Sequence, residues 1–80
     1  MKYVLFVKEE CPFCVKAKEL LVERGENFKL VVFKKGQEKV LKEIKDAYEW
    51  PTVPMIFHVA DASAIKFIGG CTDLEKHLNG

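Results

Sequence analysis

The stretch Val7-Lys8-Glu9-Glu10-Cys11-Pro12-Phe13-Cys14-Val15 joins two different hydrophobic periods, and its reading decides the fold. Upstream, Tyr3 to Val7 is β-branched and aromatic and bounded by charges, the pattern of a mostly buried strand. Downstream, Pro12 suits the first position of a helix, where its missing N–H and fixed φ cost nothing. Cys14, Ala17, Leu20 and Leu21 then make an apolar stripe at helical spacing, and Gly25 supplies the stop. A strand enters and a helix leaves at a Cys-x-x-Cys.

Moving outward, Phe28 to Phe33 repeats the strand signature, and Lys34-Lys35-Gly36 turns the chain into a second helix with Val40, Leu41, Ile44, Ala47 and Tyr48 on one face. Trp50-Pro51-Thr52-Val53-Pro54 cannot be helical, because each proline disfavours helical geometry in the residue before it and lacks a donor. Met55 to Val59 and Ala64 to Ile68 read as a hairpin around a four-residue turn, Ala60-Asp61-Ala62-Ser63. Gly69-Gly70 breaks the second of these strands, and Thr72 with Glu75 matches a capping box opening a last helix that carries Leu74 and Leu78. The order is β-α-β-α-β-β-α. Its first βαβ unit requires a right-handed crossover and a parallel pair, whereas the hairpin is antiparallel, so the sheet is four-stranded and mixed. Helices on both faces make a three-layer α/β domain.

With 80 residues the chain has room for one domain, 1–80, and for a surface groove rather than a deep cavity. Hydrophobic residues at 49% and charged residues at 31% are the balance of a folded globular chain, not a disordered one. Thirteen Lys plus Arg against twelve Asp plus Glu leave a net charge of +1 with no long run of one sign, which argues against nucleic acid as partner. The apolar run from Tyr3 to Val7 is too short for a signal core or a membrane span, so a cytoplasmic, monomeric protein without a membrane partner is expected.

Three cysteines without an export signal argue against a disulfide scaffold and for thiol chemistry or a metal. Cys11 falls at the N-cap, where unpaired N–H groups and the helix dipole stabilise a thiolate and Lys8 adds positive charge; it is the expected nucleophile. Cys14, one turn inside on the apolar side, is the expected resolving thiol. Half of a zinc site has the same spacing, but Cys71, His58 and His77 offer no paired second half, so no metal is expected. Cys71 itself reads as a buried free cysteine.

These residues together resemble the glutaredoxins: Lys8 before Cys11-Pro12-Phe13-Cys14, then Thr52-Val53-Pro54, then Gly69-Gly70-Cys71-Thr72-Asp73, in that order along essentially the whole chain. The resemblance implies a thioredoxin-like fold and glutathione-dependent reduction of mixed disulfides and protein disulfides, with glutathione as co-substrate and no tightly bound cofactor. It implies that Val53-Pro54 is cis and that the backbone at Val53 pairs with glutathione like an added strand. Phe13 and Thr52 would line the glutathione groove. Thr72 and Asp73 would hold its γ-glutamyl end and Lys8 its glycine carboxylate, with Gln37, Lys39 or Lys45 as a further partner.

The sequence also departs from the family pattern. Glu9 and Glu10 set two negative charges beside the attacking thiol, opposing the helix and Lys8. Phe13 stands where the dithiol class most often has tyrosine. Two other readings are a redoxin recharged by a thioredoxin reductase, and a glutathione-ligated [2Fe–2S] cluster carrier; Pro12 speaks against the second by analogy, since cluster carriers more often have Gly or Ser there.

Overall fold

The structure, a computed structural model, describes residues 2–79; residues 1 and 80 of the domain expected over 1–80 lie outside the described residues. The chain runs β1 (Lys2–Lys8), α1 (Pro12–Glu23), β2 (Phe28–Phe33), α2 (Glu38–Ala47), β3 (Met55–Asp61), β4 (Ala64–Gly69) and α3 (Cys71–Asn79). The sheet is four-stranded with order β2-β1-β3-β4. β1 and β2 are parallel, and β1 with β3 and β3 with β4 are antiparallel. This is the mixed sheet and element order that the hydrophobic periods predict.

Alternation in β1 sends Tyr3, Leu5 and Val7 to one face, where they meet Cys14, Ala17 and Leu21 of α1, Ile56 of β3, and Cys71 and Leu74 of α3. The helical members are spaced three and four residues apart on α1, as an inward stripe must be. Leu5, Ala17, Leu21, Ile56 and Leu74 are fully buried, so this layer is the main core. Lys16 Nζ reaches Glu75 Oε1 at 3.2 Å, and Arg24 donates to the Leu78 carbonyl at 3.2 Å, tying α1 to α3 at their rims. The first of these pairs is exposed and worth under about 1 kcal/mol.

The opposite face is thinner. Phe6, Phe33, Phe57, Phe67 and Tyr48 pack ring to ring with centroids 5.1 to 5.6 Å apart, and Trp50 continues the row against Phe67 at 5.3 Å. Of the face expected on α2 only Leu41 is fully buried, and Val40, Ala47 and Tyr48 remain exposed. The helix leaves an apolar trough of about 420 Å³ between Ile44 and Tyr48 and the sheet residues Val4, Phe6, Phe57 and Val59.

Two local readings are corrected. The hairpin strands continue through Asp61 and resume at Ala64, so the turn is two residues rather than four. Asp61 Oδ1 accepts from the Ser63 N–H at 2.8 Å and its hydroxyl at 2.9 Å, closing the turn from a strand position. α3 begins at Cys71, so Thr72 does not cap it. Asp73 Oδ2 accepts from the Gly70 N–H at 3.0 Å and does that work, while Glu75 is drawn to Lys16.

Burial pushes the thiol of Cys71 above its ordinary value, with Glu75 adding to the rise and Lys16 opposing it. Burial likewise raises the phenol of Tyr3, helped by Glu26. Both groups sit in the main core and hold their protons more tightly folded than unfolded. The unfolded chain therefore binds fewer protons once pH passes the ordinary values of 9.0 and 10.0, and stability is lost as pH rises beyond them. The urea midpoint is expected to be flat up to about pH 8.5 and to fall through about pH 11, less steeply in Cys71→Ala. A midpoint unchanged across that interval would show that neither group differs between the two states.

Candidate active site

Three chain segments meet at one end of the sheet. The first is the α1 N-terminus. Pro12 opens the helix and Cys11 is its N-cap, with an extended backbone at φ −108° and ψ 107°. Cys11 Sγ accepts from the Cys14 N–H at 3.2 Å. A sulfur in that position faces the unpaired donors and positive end of a twelve-residue helix, an arrangement that favours thiolate over thiol when the pair is reduced. Glu10, just before it, adopts a left-handed φ of 56°, unusual for a residue with a Cβ, and this turn brings β1 round onto the helix.

Cys11 and Cys14 are joined as a disulfide. Cys14 is buried at 6% exposure, whereas Cys11 is half-buried at the surface. The asymmetry is one of access: Cys11 is the more open of the two sulfur-bearing residues, and Cys14 lies largely covered in the core layer. Among the described residues no group of three His, Cys, Asp or Glu side chains is placed to hold a metal.

The second segment is the loop before β3, where the Val53-Pro54 bond is cis. Pro54 is buried and Val53 half-buried against the core. The third is the turn into α3, where Gly69 ends β4 with φ 124° and Asp73 binds back to Gly70. Together with α1 these segments border a groove of about 290 Å³ that gathers Phe13, Thr52, Val53, Pro54, Thr72 and Asp73. Phe13 is 64% exposed, offering a free aromatic face at the groove's edge.

The expected site residues do not all share this groove. Lys8 lies at the end of β1 and borders a second groove with Cys11 and Cys14. Gln37 is occupied at the start of α2, its Oε1 accepting from the Lys34 N–H at 2.8 Å. Lys45 borders a neighbouring hollow beside Trp50, and neither it, Gln37 nor Lys39 lines the main groove. Conversely, Trp50, Gly70 and Cys71 are part of the groove wall. Trp50 shares the proline-rich loop with Thr52 and Val53, which was a signal for its place there. Its indole N–H is buried without a hydrogen-bond partner among the described residues.

No helix among the described residues is long and apolar enough to cross a membrane. The glutaredoxin family model matches residues 3–61. Over 74 residues the chain is 36% identical to the hybrid peroxiredoxin hyPrx5 of Haemophilus influenzae, a match covering 92% of this chain and 28% of that one. Over 71 residues it is 42% identical to a glutaredoxin of Solanum lycopersicum, covering 84% of this chain and 59% of that one. Thus the match takes in less than two thirds of either relative. The crystal structure of a wheat glutaredoxin superposes with a TM-score of 0.81 at 30% identity, covering 98% of this chain and 71% of that one. The fold is the thioredoxin-like one that the resemblance implies, and the chain belongs to the glutaredoxin family.

Proposed function

We propose that the protein is a thiol-disulfide oxidoreductase that uses glutathione to reduce glutathione mixed disulfides and protein disulfides. The observation that carries this reading is the Cys11–Cys14 disulfide at the α1 N-terminus, one sulfur accessible and one buried. In the reduced protein the Cys11 thiolate attacks the glutathionyl sulfur of a mixed disulfide, and the substrate leaves as a thiolate that takes a proton from water. A second glutathione thiolate then attacks the glutathionyl sulfur on Cys11, releasing glutathione disulfide and restoring the Cys11 thiolate. With a protein disulfide, Cys14 attacks the intermediate instead, and two glutathiones later reduce the Cys11–Cys14 bond.

Glutathione is a co-substrate in this scheme and no cofactor is held permanently. Its backbone is read by Val53 in the added-strand manner, beside Phe13, Thr52 and Pro54. Its γ-glutamyl carboxylate is met by N–H groups at the α3 N-terminus and the Thr72 hydroxyl, and its ammonium by Asp73. The glycine carboxylate is assigned to the Lys8 ammonium, on a flexible stem beside Cys11. These assignments are supported by the family resemblance, and by the groove that holds all of these residues except Lys8.

The test follows NADPH consumption with the mixed disulfide of glutathione and mercaptoethanol as substrate. One arm supplies glutathione and glutathione reductase, the other thioredoxin reductase alone. Turnover is expected in the first arm only. Turnover in the second arm alone replaces glutathione by a different electron donor. No turnover in either, with brown colour after anaerobic purification, replaces the enzyme by a cluster carrier.

A further inference from the structure

The indole of Trp50 is a wall shared by two hollows. On one side lies the groove of about 290 Å³ that gathers Thr72 and Asp73, and on the other a hollow of about 520 Å³ bordered by Lys42, Lys45, Glu49 and Pro51. The backbone that carries the ring is fixed. The main-chain N–H of Trp50 donates to the Lys45 carbonyl at 2.9 Å, Glu49 before it holds a left-handed φ of 52°, and Pro51 follows. With space on both sides of the ring, the side chain can change rotamer where the main chain cannot.

The indole nitrogen is buried, and among the described residues nothing accepts its hydrogen. A buried donor in that condition raises the free energy of the state that holds it, and a state that supplies an acceptor recovers the difference. The position of the ring indicates which acceptor. Cζ2, separated from the nitrogen by one ring atom, is 3.7 Å from the point where a Cβ on Gly70 would stand; the Pro54 carbonyl oxygen and Asp73 Oδ2 are 3.8 and 3.9 Å from the same point. The nitrogen side of the indole is therefore turned to a corner that Gly70, lacking a side chain, leaves unfilled. Asp73 Oδ2 is already engaged there by the Gly70 N–H. The corner adjoins the start of α3, the end of the groove where the γ-glutamyl carboxylate is seated in the scheme above.

We propose that Trp50 is a further ligand-binding residue: its indole turns when glutathione enters, and the N–H donates to the γ-glutamyl carboxylate at the Gly70 corner. The proposal rests on the glutathione reading above and adds a donor to those of Thr72 and the α3 N-terminus. Because the indole N–H gives up no bond to protein or water in the empty site, the whole of the new bond counts toward binding. The contact selects ligands that carry a carboxylate at that end.

The experiment titrates the ¹⁵N-labelled chain, in its disulfide form, with S-methylglutathione, which has no reactive thiol. The resonance of the single indole is followed beside the main-chain amides. The Val53, Thr72 and Asp73 amides are expected to shift, and the indole proton to move downfield with the same midpoint. Trp50→Phe keeps an aromatic ring and removes the donor. It is expected to weaken S-methylglutathione about fivefold and to raise the KM for glutathione by a similar factor, with kcat within about twofold. An analogue with 4-aminobutanoyl in place of γ-glutamyl lacks only the carboxylate, and is expected to bind wild type and Trp50→Phe alike. A similar loss on both ligands makes Trp50 a packing residue and overturns the contact. So does an indole resonance that stays still while the groove amides shift, a result that leaves the glutathione site standing. If no amide shifts, the glutathione site itself falls and this contact with it.

Discussion

Cys14→Ser is expected to keep glutathione mixed-disulfide turnover within about threefold of wild type while losing about 100-fold or more of protein-disulfide reduction. Cys11→Ser is expected to lose about a thousandfold or more on both, because a serine hydroxyl stays protonated where the thiol can ionise. The asymmetry follows from access. Cys11, half-buried with its sulfur at a helix N-terminus, is the more open of the pair to an incoming sulfur. Cys14 sits in the core layer at 6% exposure, largely covered. It is needed only where no second small thiol can resolve the intermediate. The two variants should be assayed side by side on insulin and on the glutathione–mercaptoethanol disulfide. Equal losses on both substrates in a folded Cys14→Ser protein would remove the division of labour argued here.

Gly69→Ala is expected to lower stability by roughly 2–4 kcal/mol, a large part of the about 5–15 kcal/mol that holds a typical domain together. Gly69 sits at φ 124°, where an L side chain is strained whatever space surrounds it. There is also no space: a Cβ there would lie 2.5 Å from Asp73 Oδ2 and 2.8 Å from Asp73 Cγ. Relieving that overlap moves the carboxylate that accepts from Gly70, so the change also removes the side-chain bond that caps the start of α3. The expected fall in melting temperature is roughly 10 to 25 °C. At Gly70 an added Cβ meets Trp50 at an ordinary 3.7 Å and φ is not positive, so Gly70→Ala is the matched comparison. Similar melting temperatures for the two variants would defeat the argument. Because the moved carboxylate is Asp73, the KM for glutathione is expected to rise in Gly69→Ala as well.

The junction at Cys11 was legible because the hydrophobic period changes there from two to helical, and a proline marks the change. The hairpin was less so. Asp61 has the composition of a turn residue but works from the end of β3, using its side chain to hold Ser63. At α3 a Thr72–Glu75 pattern imitated a capping box, while the side chain that reaches back belongs to Asp73 and the N-cap is a glycine. Periodicity told which face of α2 is apolar but not how much of it the sheet covers, since coverage depends on how far the helix stands off. In the site, spacing alone identified the dithiol. The meeting of Thr52–Pro54 with Thr72 and Asp73 is a tertiary fact that no local pattern encodes, and it came through the family resemblance. Lys8, three residues before Cys11, borders the neighbouring groove with both cysteines rather than the one that gathers the other expected residues.

Trp50 is the only tryptophan in the chain. Its ring stacks edge-on against Phe67, lies against Gly70 and forms part of the groove wall, with its N–H unpaired among the described residues. Indole emission depends on the polarity and hydrogen bonding around the ring, and here every photon it emits comes from the rim of the candidate binding site. The protein therefore carries an optical reporter at its own groove, and occupancy can be titrated by fluorescence without attaching a dye.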